Sequence, residues 1–148
     1  MNVMVRRIAW FLSIVGILVF AAATAMLFNP SSQVRVPAIA ALVTFAAIVL
    51  AHLGGIEWGL ALRDESGNDV TRTIALGVSS VASLAAWGVL WLQSPLQQLG
   101  AALVLFLVVW AADLWMSRHG LLPSWFVDMR TAVTVIVAII LGVAIYLL

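Results

Sequence analysis

Five long stretches of this chain carry almost no charge, and that feature decides what it folds into. They cover residues 8–28, 37–62, 73–92, 96–116 and 131–148. A helix rises about 1.5 Å per residue and the hydrocarbon core of a bilayer is about 30 Å thick, so about 20 apolar residues cross it. The last stretch, roughly 27 Å long as a helix, only just suffices. The runs are unbroken, unlike the alternating pattern of about ten residues that marks a membrane β-barrel strand. The sequence therefore predicts an all-α integral membrane bundle of five transmembrane helices, a single membrane domain over residues 1–148.

Composition narrows the function classes. Hydrophobic residues make up 65% of the chain and charged residues 9%, against roughly 45–50% and about 25% in soluble domains. Five spans use roughly 100 residues, which leaves no room for a soluble catalytic domain or a nucleic-acid platform. There is no cysteine, hence no disulfide framework. The first stretch also has features of a signal peptide: Arg6 and Arg7, an apolar core, and Ala23-Thr24-Ala25 as a cleavage pattern. The apolar run continues through Met26-Leu27-Phe28 to a full spanning length, so it reads as a retained helix.

The seven cations are all arginines, and they are unevenly spread. Arg6, Arg7, Arg63, Arg72, Arg118 and Arg130 flank one side of the expected spans, and only Arg35 flanks the other. Cytoplasmic loops carry the excess of basic residues. The amino terminus is therefore expected inside and the carboxyl terminus outside, in a bacterial cytoplasmic membrane or, in a eukaryote, the mitochondrial inner membrane. Trp10, Trp58, Trp115 and Trp125 would lie near the inner interface, and Trp87, Trp91 and Tyr146 near the outer one.

Few residues are equipped for chemistry. Ionisable groups within a span are costly and are functional candidates by default; here they are His52, Glu57 and Asp113. Glu57 lies roughly 9 Å along the helix from Arg63, and Asp113 roughly 7.5 Å from Arg118. Both are expected near the inner headgroups, as interfacial ion pairs with Arg130 or Arg63 rather than as a proton relay. His52 is deeper, and a lone histidine falls short of a bis-histidine haem or a zinc site. A hydrogen bond to Thr44, Ser79 or Ser83 is its expected role, and no metal or cofactor is implied. Asp64, Glu65 and Asp69 beside Gly67 miss the calcium-loop spacing and read as a solvated turn. Ala47, Ala51, Gly55 and Gly59 recur every four residues and contain a G-x-x-x-G step, which lets helix backbones approach closely. This stripe is expected to pack inside the bundle, with docking on a partner subunit as the alternative.

The run Leu53-Gly54-Gly55-Ile56-Glu57-Trp58-Gly59, followed by Leu122-Pro123-Ser124-Trp125 and Arg130-Thr131, resembles the domain-of-unknown-function 3429 family of small multi-pass membrane proteins. These motifs span the chain from about Pro37 onward. The resemblance implies a five-helix membrane protein and carries no activity with it.

The expected function is thus a non-catalytic membrane subunit, scaffold or assembly factor docking on a larger, energy-transducing complex. Its partners would be membrane lipid and other membrane subunits or a second copy, with no nucleic acid. A small ion or proton transporter using Glu57, Asp113 and His52 is the alternative, and a cofactor carrier using His52 a further one. The topology is directly testable, because the chain has no native cysteine. A single cysteine placed within residues 63–72 should be shielded from an impermeant thiol reagent in intact cells, and one added after Leu148 should react. Reversed labelling would invert the topology.

Overall fold

The computed structural model describes residues 3–63 and 69–148. The turn expected around Asp64, Glu65 and Gly67, and the side chain of Arg63, lie outside the described residues. The chain forms α1 (Val3–Ala25), a short 3-10 turn (Met26–Phe28), α2 (Ser32–Arg63), α3 (Asp69–Val89), α4 (Pro95–Arg118) and α5 (Ser124–Tyr146), with no strand among the described residues. All five helices are long and apolar enough to cross a membrane. The protein is a multi-pass membrane bundle. At 32 residues, α2 is about 48 Å long, so it must tilt or project beyond the hydrocarbon.

Every helix begins before its apolar run. A backbone near lipid must bond to itself, so the helices continue through their polar flanks. Pro37 does not start α2 but sits inside it, in the second turn, where the absent N–H forfeits one ladder bond. Asp69 places an acid in the first turn of α3, which suits the positive end of the helix dipole. Ser94 caps α4 by accepting from the Gln97 N–H, with Pro95 following at the first helical position. The largest shift is in α5, which begins at Ser124 rather than residue 131. Pro123, extended at φ −71° and ψ 143°, starts it, and Arg130 is thereby carried inside the helix.

The link between α4 and α5 explains the Gly-Leu-Leu-Pro run. Gly120 has φ 78°, a left-handed conformation in which a side chain is strained. Its N–H donates to the Ser117 carbonyl, and the Leu121 N–H reaches back to the Met116 carbonyl. This is the double closure of a Schellman motif. Met116 and Leu122 are buried together, with Leu121 packed against them. The chain reverses in a few residues and α5 returns antiparallel beside α4.

α2 and α4 pack together in the middle of the bundle. α3 leans on both from one side; on the other, α1 contacts α2 and α5, and α5 contacts α4. Phe20, Leu42, Leu50, Leu99, Phe106 and Leu141 fill the main core. Two arginines tie helix ends by donating to carbonyls the helices cannot satisfy themselves: Arg35 to Leu147, beyond the end of α5, and Arg72 to Ala61, in the last turn of α2.

The α2–α3 contact is the most extensive, and one glycine permits it. A Cβ at Gly54 would lie 2.6 Å from Ser83 Oγ and 2.8 Å from the Ser79 carbonyl oxygen. Opposite it, α3 buries Ala75, Ser79, Ala82 and Ala86, a face of small side chains. At neighbouring Gly55 a Cβ would meet nothing within 4 Å. Gly54→Ala should therefore lower stability by about 1–3 kcal/mol through forced separation of α2 and α3. Gly55→Ala should be neutral or raise stability by up to about 1 kcal/mol through helix propensity. Denaturant unfolding of the two variants in detergent measures the contrast, and equal effects would refute the assigned helix face.

Candidate functional site

Three of the polar residues singled out from the sequence meet inside the bundle: Glu57 from α2, Asp113 from α4 and Arg130 from α5. Their positions follow from the spacing of the buried faces. α4 buries Leu99, Ala102, Phe106, Val109, Asp113 and Met116, in steps of three and four. α5 buries Val127, Arg130, Thr134, Val137, Leu141 and Ala144 in the same rhythm. On α2, Leu50, Leu53, Glu57 and Ala61 continue a buried line. Each ionisable residue occupies a seam position that an apolar side chain would otherwise fill.

Arg130 Nε donates to Asp113 Oδ2 at 2.9 Å. Nearby, Trp110 Nε1 donates to Thr131 Oγ1 at 2.9 Å, so two polar links fix the register of α4 on α5. The expected contact of an acid with Arg130 thus forms through Asp113, and it is enclosed by protein: Asp113 is 1% exposed and Arg130 5%. A buried pair is weakly stabilising as a whole, but losing one partner strands the other charge.

Glu57 is 2% exposed and lies within the electrostatic reach of both Asp113 and Arg130. Its carboxyl group faces that of Asp113, to which it can hydrogen-bond when one of the two is protonated, while no N–H or hydroxyl donor reaches it, and Arg130 Nη2 is unpartnered. The cluster thus sets two carboxyl groups against one guanidinium and leaves donors and acceptors unused.

A cavity of about 500 Å³ adjoins the cluster between α1, α2 and α5, with Phe106 of α4 at its wall. Its lining is mostly apolar, and its polar members are Ser13, His52, Arg130 and Thr134. Thr134 is 3% exposed and its hydroxyl lacks a partner.

The remaining candidates fall elsewhere. His52 is exposed and borders this cavity. Its expected bond to Thr44, Ser79 or Ser83 does not form: Ser79 donates to its own helix at Leu76, and Ser83 lies against Gly54. The stripe on α2 does not pack internally as expected. Ala47 is buried, but Ala51, Gly55 and Gly59 face outward, with open space around both glycines. The i,i+4 stripe drifts around the helix from the buried seam, and the close approach belongs to Gly54 instead. Trp58 is 44% exposed on the same helix. No group of three His, Cys, Asp or Glu side chains with metal-binding geometry occurs among the described residues. Thr134 and the small face of α3 escaped the sequence reading, although both follow the three-and-four spacing of the buried residues.

Residues 5–146 match the family described as Protein of unknown function (DUF3429). The chain belongs to the DUF3429 family. The match begins within α1, well before the stretch covered by the two motifs, so all five helices of this DUF3429 protein are family features. No curated protein and no solved structure matches the chain. Both motifs have a structural reason: Gly54 admits α3 against α2, and Gly120 with Pro123 turns α4 into α5.

The buried pair makes a sharp prediction. Arg130→Met should cost about 3–5 kcal/mol, because Asp113 and Glu57 lose their counter-charge. The double variant Arg130→Met/Asp113→Leu should recover most of that loss, since an apolar pair of similar volume replaces the ions. Unfolding in detergent across the four members of the cycle tests this. Additive losses in the double variant would show that the two groups are not coupled.

Proposed function

We propose that this protein is a non-catalytic membrane subunit or assembly factor that docks on a larger, energy-transducing complex through the outward face of α2. The observation that carries the reading is the open space at Gly55 and Gly59. In lipid, association is driven by close van der Waals packing, and a G-x-x-x-G face lets a second helix approach. The bundle satisfies its own α2–α3 contact through Gly54, so the Gly55–Gly59 face is left for another molecule. The partner on this reading is a transmembrane helix of another subunit, because the short links between helices offer little surface to a soluble protein. The arginine distribution supports an amino terminus on the cytoplasmic or matrix side, in the bacterial cytoplasmic membrane or its mitochondrial counterpart.

A second reading, a small proton or ion carrier, draws on one specific observation: Glu57 is buried against a second carboxyl group, with no N–H or hydroxyl donor to either of its oxygens. Such a cluster balances its charge by taking up a proton or a cation, and intramembrane carboxyls of this kind occur in proton relays.

One pair of variants separates the readings. Gly55→Leu should fold with no loss of stability, since its Cβ position is open on the outward face and leucine raises helix propensity. Its co-purifying assembly, sized by native electrophoresis in mild detergent with its subunits identified, should shrink to the isolated protein. An unchanged assembly would overturn docking through this face. Proton flux into liposomes that is present with wild type and lost in a well-folded Glu57→Gln would favour the carrier instead.

A further inference from the structure

We propose that the cavity between α1, α2 and α5 is a binding site for a neutral amphiphile with a carbonyl acceptor head and a single apolar tail. This inference is independent of docking through α2. The cavity of about 500 Å³ falls within the roughly 300–1,000 Å³ usual for small-molecule sites, which pair apolar walls with a few placed polar groups. Arg130 and Thr134 are four residues apart, on one face of α5, and both border the cavity. Each is at least nine-tenths buried, and each keeps an unused hydrogen-bonding group, Arg130 Nη2 and Thr134 Oγ1. A buried donor without a partner carries a desolvation penalty; both atoms lie behind the cavity wall with almost no accessible surface of their own, and an acceptor in the cavity relieves the penalty once the two side chains turn toward it.

Charge decides what kind of acceptor fits. Asp113 already neutralises Arg130 through Nε, and Glu57 adds a second carboxyl group to the same cluster. With Asp113 ionised in its pair with Arg130, the formal charge there is zero, or negative when Glu57 is ionised as well, so a carboxylate or phosphate head gains no net attraction. A neutral carbonyl accepts from both groups without adding charge. The aromatic rings of Phe20, Phe45, Phe106 and Phe126 in the wall suit a planar head or an apolar chain. Quinones and fatty esters share this chemistry.

Four probes with tails of similar length test the site on the purified full-length protein in detergent: a decyl-substituted benzoquinone, methyl laurate, laurate at neutral pH and dodecane. A ligand that binds only the folded state raises the unfolding midpoint with its concentration. The quinone, the ester or both should do so saturably, while laurate and dodecane should not; the tighter neutral probe identifies the head group. Thr134→Val should weaken that probe by roughly three- to tenfold, the equivalent of one hydrogen bond. Gly16→Leu should abolish the effect without lowering the ligand-free midpoint, because Gly16 borders the cavity and its Cβ position has no neighbour within 4 Å. Laurate binding as well as the neutral probes would refute the charge argument. Dodecane binding as well as they do would show a cavity filled by any tail. Wild-type affinity in either variant would place the ligand elsewhere, and if Thr134→Val does not fold, Gly16→Leu decides alone.

Discussion

A guanidinium enclosed in an apolar bundle needs a counter-charge it can touch, and the arrangement of α4 and α5 follows from meeting that need. Arg130 is nearly inaccessible and reaches Asp113 at 2.9 Å. This contact requires α5 to lie antiparallel to α4 with one particular register, which the Trp110–Thr131 bond repeats nearby. The turn supplies the same geometry from the covalent side, since Gly120 and Pro123 reverse the chain in a few residues. Local turn chemistry and a long-range ion pair agree on one answer, which is what lets a sequence specify a structure. The small net stabilisation of buried ion pairs is no objection, because their better-attested contribution is register.

The five helices were legible in the sequence because hydrocarbon thickness imposes a length that no other element satisfies as simply. The helix starts were not, because backbone hydrogen bonding begins each helix ahead of its apolar residues. Arg130 shows the consequence. Placed before a helix starting at residue 131, it reads as an interfacial cation; inside a helix starting at Ser124, it is a core residue. Depth along the helix suggested that Glu57 and Asp113 lie near headgroups. The direction in which they point decided their burial, and that was readable from the three-and-four spacing of Leu99, Ala102, Phe106, Val109 and Asp113.

The glycines of α2 carry a related lesson. Hydropathy does not separate a lipid-facing side from a protein-facing side when both are apolar, so a G-x-x-x-G step says that a helix can approach without saying whose helix it is. The answer lay in α3, whose Ala75, Ser79, Ala82 and Ala86 form the small surface that Gly54 meets. Small residues facing each other across two helices mark an internal contact. Gly55 and Gly59, with no such counterpart among the described helices, are left to the outside.

The choice of arginine over lysine connects the ion pair to the cavity. The chain contains no lysine, and at position 130 the difference is functional geometry. A lysine ammonium carries its three donors on one atom, so all of them would lie beside Asp113. A guanidinium presents donors on three nitrogens in a fixed plane, so Arg130 engages Asp113 through Nε and keeps Nη2 unused. One side chain can therefore hold α5 to α4 and still keep a donor unused. Any molecule that accepts from Nη2 bears on the group that holds Asp113, and through Asp113 on the neighbourhood of Glu57. Occupancy of the cavity and the charge balance of the cluster are consequently linked through one planar group, without any movement of a helix.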